Sequence, residues 1–224
     1  MTAHSTFIHP LAIVETQRIG ADTRIWGWSH VQEKVSIGVS CNIGEHCFIE
    51  NGVTIGDRVV VKNGISLWEG TMIGNDVFLG PHAVFSNERY PRSGFPKNYD
   101  PIIIENGASI GAGAIITPGM KIGRYATVGA GAVVTRSVTA HALVHGNPAR
   151  FRGWMCICGL KLPNYDDSLY YDNPSLPPLT KGEGKDYHTS LSPPAGMDVS
   201  IVSCTCRRMY SVSKAECKLT QEGA

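Results

Sequence analysis

Three groups of residues in this 224-residue chain have the types and spacing to do chemistry. The first is a polar series at a constant interval of 18: Glu33, Asn51, Glu69 and Asn87. Such a series can serve chemistry through its carboxylates and amides, and a solvated corner is the other reading of it. The second group is histidine. His46 and His82 stand at twice that interval, and His30 follows Trp26-Gly27-Trp28-Ser29. An imidazole can serve as a general base near neutral pH. The third group is two close cysteine pairs, Cys156 with Cys158 and Cys204 with Cys206. Four thiolates suit tetrahedral zinc. A tail with unliganded thiols is the other reading of those pairs, and Cys217 has no assigned role.

Chemistry at such an interval needs a scaffold with the same period. The chain has 19 Ile and 18 Val against 11 Leu, and 25 Gly. β-branched side chains favour a pleated, half-buried backbone, so the composition argues for strands and tight corners rather than helices. Every sixth residue from Ile13 is large and apolar: Ile13, Ile19, Ile25, Val31, Ile37, Ile43, Ile49, Ile55, Val61, Leu67, Ile73, Leu79 and Phe85. The series resumes at Ile104, Ile110, Ile116, Ile122, Val128 and Val134 and ends near Ala140. Gly often follows the apolar residue, as at Gly38, Gly56 and Gly80. A small or β-branched residue stands four after it, as at Thr23, Cys41 and Ala108. A period of six is a short strand plus a corner, repeated. Three such hexads close one triangular coil, which gives the interval of the polar series. Coils stack at about 4.8 Å, which should bring the Glu69 and Asn87 Cα atoms to about 5 Å. In this reading the post-apolar Gly supplies the backbone freedom of the corner.

The period breaks once. The step from Phe85 to Ile104 is one more than three hexads, and the segment 86–103 carries Pro91, Pro96 and Pro101 with arginines and aromatics. It cannot continue the coil, and a polar, aromatic excursion from a regular solenoid is a usual place for function. Past Gly153 the composition changes again. Leu overtakes Ile plus Val, and residues 164–199 carry five Pro. The expected division is therefore a coil domain over 1–154, with its loop over about 86–103, and an extension over 155–224. A net charge of +1 gives no basic field for nucleic acid. No apolar run has the length of a membrane span. The N-terminus has no basic-then-apolar signal, and an odd cysteine count fits a reducing cytoplasm.

The [Ile/Val/Leu]-Gly-x₄ period over residues 7–154 resembles the hexapeptide-repeat acyltransferases. That resemblance implies an all-β fold, a left-handed parallel β-helix. Phe85-Ser86-Asn87, Pro91-Arg92-Ser93 and Asn63-Gly64-Ile65-Ser66-Leu67-Trp68-Glu69-Gly70 resemble the nucleotide-linked 3-amino-sugar N-acetyltransferases in particular. The resemblance implies acetyl transfer from acetyl-CoA to the 3-amino group of a dTDP- or UDP-linked amino sugar, for surface polysaccharide. Asn87, Glu69 and His82 become the candidates for catalysis. His30, Lys62, Asn63, Arg92 and Tyr99 become candidates for binding the sugar nucleotide. Relatives more often carry Gln or His where Lys62 stands. Gly111-Ala112 and Gly129-Ala130 would leave a groove for the coenzyme arm. Asn147-Pro148, Arg150 and Arg152 would sit by its adenine and phosphates. The family is trimeric, with sites between subunits. Some members continue with Cys-x-Cys-Gly and a later cysteine pair resembling a small zinc ribbon, which implies Cys156, Cys158, Cys204 and Cys206 as ligands. An O-acetyltransferase of the same fold and a non-catalytic β-helical scaffold are the competing readings. A β-helical carbonic anhydrase would need three close histidines, which His46 and His82, two coils apart, do not supply.

Overall fold

The structure is a computed structural model that describes residues 5–95, 99–162, 190–191, 200–212 and 216–221. The chain divides into two units, Met1–Arg152 and Gly153–Ala224. Most of the Pro-rich stretch over 164–199 lies outside the described residues. No described helix is long and apolar enough to cross a membrane.

The first unit is the left-handed parallel β-helix that the resemblance implies, built from two-residue strands. One face stacks Phe7–Ile8, Arg24–Ile25, Asn42–Ile43, Val60–Val61, Phe78–Leu79, Ser109–Ile110 and Thr127–Val128 in parallel. A second carries Ser36–Ile37, Thr54–Ile55, Met72–Ile73, Ile103–Ile104 and Lys121–Ile122. The third carries Ile13–Val14, His30–Val31, Phe48–Ile49 and Ser66–Leu67, then Val84–Phe85, Ile115–Ile116 and Val133–Val134. The second residue of nearly every strand points inward. Ile25, Val31, Ile43, Leu67, Leu79, Ile110, Ile116 and Ile122 are fully buried. The residue four later is inside as well, not at the apex of the corner. There it bonds successive coils. Thr23 Oγ1 donates to the Gly38 carbonyl (2.7 Å) and accepts the Cys41 N–H (3.0 Å). Cys41 Sγ in turn donates to the Gly56 carbonyl at 3.0 Å. Burial pushes the Cys41 and Cys47 thiols above their ordinary value, so both stay protonated.

Four details of the reading change. Ile13 is not an interior rung but is 61% exposed, and Val14 takes that register. The first coils are one short of three hexads, as the pairs Ile8↔Ile25 and Val14↔Val31 show, and such a slip moves a side chain to the opposite face. At the far end Ala140 is not a rung. Val138 and Val144 are, paired with Ile122 and Val128 in a coil two short of three hexads. The excursion after Phe85 falls between the paired strands of Ile73 and Ile104. In that coil Asn75 and Asn106 stack at a sequence separation of 31, where Asp57 and Asn75 stack at 18 in the coil before.

The fourth change concerns glycine. The corner residue in left-handed conformation is the third after the rung: Asp22, Trp28, Ser40, His46, Arg58, Asp76, His82, Tyr125 and His141 have φ of 56–63°. The Gly directly after the rung is needed for space. A Cβ at Gly80 would meet Ala112 N at 2.5 Å, and one at Gly111 would meet Ala130 N at 2.4 Å. Gly113 differs, because a Cβ there meets nothing within 4 Å and only its φ of 64° favours Gly. Gly80→Ala is therefore expected to cost about 2 kcal/mol or more by forcing two coils apart. Gly113→Asn should cost less than about 1 kcal/mol, since Asn tolerates this backbone. Urea denaturation of both variants checks the contrast.

On the second face Lys121 Nζ lies 2.7 Å from Glu105 Oε1, and Glu105 Oε2 accepts the Arg124 N–H. The Lys121 bond, acting against desolvation, holds the Glu105 carboxyl below its ordinary value. A folded-state value below the unfolded one means stabilisation present above the usual carboxylate range and lost as pH falls through the lowered value. With partial exposure to screen the pair, Glu105→Gln should cost less than about 1 kcal/mol at neutral pH. It should cost nothing once acid has protonated Glu105 in the parent, as denaturation at the two pH values will show.

Candidate active site

The excursion leaves the third face at Ser86 and is tied at its neck. The Asp100 N–H donates to the Asn87 carbonyl (2.9 Å), and the Gly119 N–H to the Asp100 carbonyl (3.2 Å). Arg89 Nε reaches Asp100 Oδ2 (3.3 Å), and Arg89 Nη2 donates to the Pro118 carbonyl (3.2 Å). The backbone ladder of the third face breaks at this level. Ile13–Val14 to Ser66–Leu67 form a four-stranded sheet, and Val84–Phe85 to Val133–Val134 a separate three-stranded one. Across the break the Trp68 indole N–H donates to the Phe85 carbonyl at 2.8 Å. A cavity of about 520 Å³ opens there, lined by Trp68, Ser86, Asn87, Pro91, Arg92 and Ser93 among others. Asn87 and Arg92 thus line one cavity, with Trp68 beside them. Tyr99 is exposed on the returning arm of the loop, and Lys97 and Asn98 lie outside the described residues.

The remaining polar candidates are spread over the prism. Glu69 is the second residue after the strand Ser66–Leu67. Its Cγ lies over Gly52 on the preceding coil, and its N–H donates to Glu50 Oε2 (2.8 Å). It does not line the cavity. Asn51 of the same series is used structurally, its Oδ1 accepting the Lys34 N–H (2.8 Å). Asn63 Oδ1 likewise accepts the Glu45 N–H (3.2 Å), a coil-to-coil bond repeated by Asn75 and Asn106. Lys62 is exposed beside it. His30 bonds Glu15 Oε1 (2.8 Å) and stands edge-on to Phe48 (5.5 Å), which contacts Trp68 (5.7 Å). His82 is exposed at the corner before Val84–Phe85, whereas Asn87 is at the corner after it. A full side of the triangle therefore separates the two within one chain, against the expectation of a shared cleft.

The ring of His82 covers Gly64, while Gly113 and Gly131 leave their corners open. Gly113 donates its N–H to the Pro81 carbonyl, and Gly131 to the Ala112 carbonyl, so the corner above His82 is bare backbone. Gly111 and Gly129 are small because the next coil presses on them. The bareness of the groove beside Ala112 and Ala130 comes from Gly113 and Gly131. The chain then turns through Gly146 and a cis Asn147–Pro148 bond, with the Ala149 N–H on the Val133 carbonyl (2.7 Å). Arg150 and Arg152 are exposed on the strand Arg150–Trp154.

In the second unit Ser190–Leu191, Ser200–Ser203, Met209–Val212 and Cys217–Gln221 form an antiparallel sheet. Two tight turns face each other. In one Gly159 N–H donates to Cys156 O; in the other Arg207 N–H donates to Cys204 O. Cys156, Cys158, Cys204 and Cys206 offer four sulphurs within 4.8 Å of one another. Zinc–thiolate bonds of about 2.3 Å in a tetrahedron put sulphurs about 3.8 Å apart, so the set fits zinc. Tyr210 Oη lies 3.1 Å from Cys156 Sγ and accepts the Ile157 N–H (3.0 Å). Desolvation pushes Cys158 up to about 12 and Cys204 upward. For Cys206 desolvation is outweighed by the Arg208 N–H and the neighbouring thiols, which pull it down to about 6. Burial pushes Cys217 up to about 12.

Trp68 lies within the family-like segment Asn63–Gly70 but is not among the residues that the resemblance assigns to binding or catalysis. Its signal was an indole directly after a rung, one coil before the break, where Gly or a polar residue usually stands.

The family described as bacterial transferase hexapeptide (six repeats) matches residues 101–136, and the hexapeptide repeat of succinyl-transferase matches 34–68. An N-acyltransferase from Bacillus cereus, solved with dTDP and 3-hydroxybutyryl-CoA, is 20% identical with a TM-score of 0.46, over 66% of this chain and 79% of that one. A 2,3,4,5-tetrahydropyridine-2,6-dicarboxylate N-acetyltransferase from Staphylococcus aureus is 47% identical over 55 residues, 25% of this chain and 23% of its own. The dTDP-3-amino-3,6-dideoxy-alpha-D-galactopyranose 3-N-acetyltransferase of Aneurinibacillus thermoaerophilus is 50% identical over 167 residues, 74% of this chain and 87% of that enzyme. At that identity and coverage, the chain belongs to the hexapeptide-repeat acyltransferases, alongside the nucleotide-linked 3-amino-sugar N-acetyltransferases.

Proposed function

We propose that the chain is an acetyl-CoA-dependent N-acetyltransferase acting on the 3-amino group of a dTDP-linked amino sugar. The observation that carries this is the 50% identity with the Aneurinibacillus enzyme over 87% of that enzyme's length. The cavity beside Asn87, at the foot of the inserted loop, supports it. Surface-polysaccharide synthesis, a cytoplasmic location and a homotrimer with sites between subunits complete the reading. A trimer would also let the bare corner above His82 on one subunit face the Asn87 corner of the next, which a single chain keeps a side apart.

The chemistry needs a neutral amine, a thioester in line and a donor for the oxyanion. A sugar amine titrates near an α-amine, roughly 8, so a useful fraction is neutral at cytoplasmic pH. Asn87 accepts an amine N–H and directs the lone pair at the thioester carbonyl. The C–N bond forms and the C–S bond breaks. The ammonium proton goes to the departing thiolate, whose ordinary value near 8.5 suits it, or to His82. Arg150 and Arg152 meet the coenzyme phosphates. His30, Lys62, Asn63, Arg92 and Tyr99 lie on the sugar-nucleotide side. The four cysteines of the tail hold one structural zinc, whose ligation closes the two turns around it.

Incubation with acetyl-CoA and a panel of dTDP- and UDP-linked 3-amino sugars should release thiol and give a hydroxylamine-resistant amide. An ester product would mean the O-acetyltransferase, and no turnover or thermal shift with coenzyme or nucleotide would leave the scaffold. Asn87→Ala should lower kcat roughly hundredfold or more; near-normal turnover would sink its assignment. Sedimentation should give three chains. Metal analysis should find one zinc per chain, lost in a Cys156→Ser, Cys204→Ser double variant, and a metal-free wild type would refute the zinc assignment.

A further inference from the structure

We propose that Trp68 is the surface on which the sugar ring of the acceptor lies, and so a specificity-determining residue. The proposal rests on the amino-sugar reading above.

Three observations converge on it. Trp68 lines the same cavity of about 520 Å³ as Asn87, a volume that admits a hexose with part of its diphosphate. Its orientation is set from both sides. The indole N–H is held by the Phe85 carbonyl at 2.8 Å, and Phe48 packs against it at 5.7 Å, itself met edge-on by His30. The cavity also opens at the gap that this residue spans. It opens where the third face loses its backbone ladder, and the indole N–H bridges that gap.

The chemistry of the wall follows. An indole face carries the negative side of the ring quadrupole, which attracts the weakly positive C–H bonds of a sugar's apolar side. A 6-deoxyhexose has one more apolar carbon than its 6-hydroxy counterpart. Such a sugar would keep its C–H side on Trp68, present its 3-amine to Asn87, and extend its diphosphate towards Arg92 at the cavity's rim. The wall so formed favours a 6-deoxy sugar over a 6-hydroxy or 6-carboxylate one. An apolar surface rejects an added hydroxyl weakly and a desolvated carboxylate more strongly.

The test is steady-state kinetics of Trp68→Leu and Trp68→Phe with dTDP-3-amino-3,6-dideoxyhexose and with its 6-hydroxy analogue. Circular dichroism and sedimentation of both variants establish that the solenoid is intact. The expected result is a sugar-nucleotide KM raised roughly tenfold or more by Trp68→Leu. Its kcat should stay within about threefold and the KM for acetyl-CoA should not change. Trp68→Phe should recover most of the loss, because it keeps a stacking face. The 6-deoxy preference of wild type should shrink in Trp68→Leu. An unchanged sugar KM in folded Trp68→Leu overturns the proposal. So does a Trp68→Phe variant as impaired as Trp68→Leu, which would assign the effect to the lost indole hydrogen bond. A wild type inert to every nucleotide-linked amino sugar refutes the underlying function and this proposal with it.

Discussion

Successive coils of this solenoid lie about 4.8 Å apart, the spacing of parallel backbone pairing, and the rest of the molecule is arranged around that distance. It leaves no room for a Cβ where one coil presses on the next. A side chain at Gly20, Gly80, Gly111 or Gly123 would approach backbone atoms at 2.4–2.5 Å. It also makes every interior residue touch its equivalents above and below, so Ile and Val rungs form continuous buried columns. Polar groups inside follow the same rule. Thr23, Ser29, Cys41 and Cys47 each exchange bonds with a neighbouring coil rather than with water.

A scaffold so regular offers few recesses, and a cavity opens where regularity fails. One coil carries the excursion, the third face loses its ladder, and the opening is bridged by an indole rather than by backbone. The result is a cavity with one rigid aromatic wall and one wall of loop. The loop's foot is pinned by Arg89, Asp100 and the Asn87 carbonyl. Pinning at that point fixes the backbone of Asn87 where the loop opens. The tail is held differently. Its four cysteines sit in two short turns that bring their sulphurs within 4.8 Å of one another.

The architecture was legible because a period of six in Ile, Val and Gly is long, broken only once and incompatible with a helix. The exceptions were not legible, and each has a local cause. Ile13 and Val14 are both apolar, so nothing in the letters says which faces inward; the shortened first coil decides it. Val138 replaces Ala140 because two residues are missing from a coil that sequence spacing assumed complete. Among the candidates, Asn87 and Arg92 come from family-like segments and share a cavity. Asn63 looked equally promising. Its side-chain oxygen is bonded to Glu45, a role that can be recognised only when the coils are stacked.

By itself the amino-acid sequence determined the repeat, most of the interior columns and the place where the coil is interrupted. These are one-dimensional facts, fixed by which side chains recur at which interval. Only the tertiary structure decided which side of the triangle each candidate occupies. It separated His82 from Asn87 by a whole strand, turned Glu69 towards Gly52, and brought Trp68 to the cavity wall. The reason is geometric. In a three-sided coil, residues five apart in sequence lie at different corners, while residues a whole coil apart, such as Asn75 and Asn106 across the excursion, lie in contact.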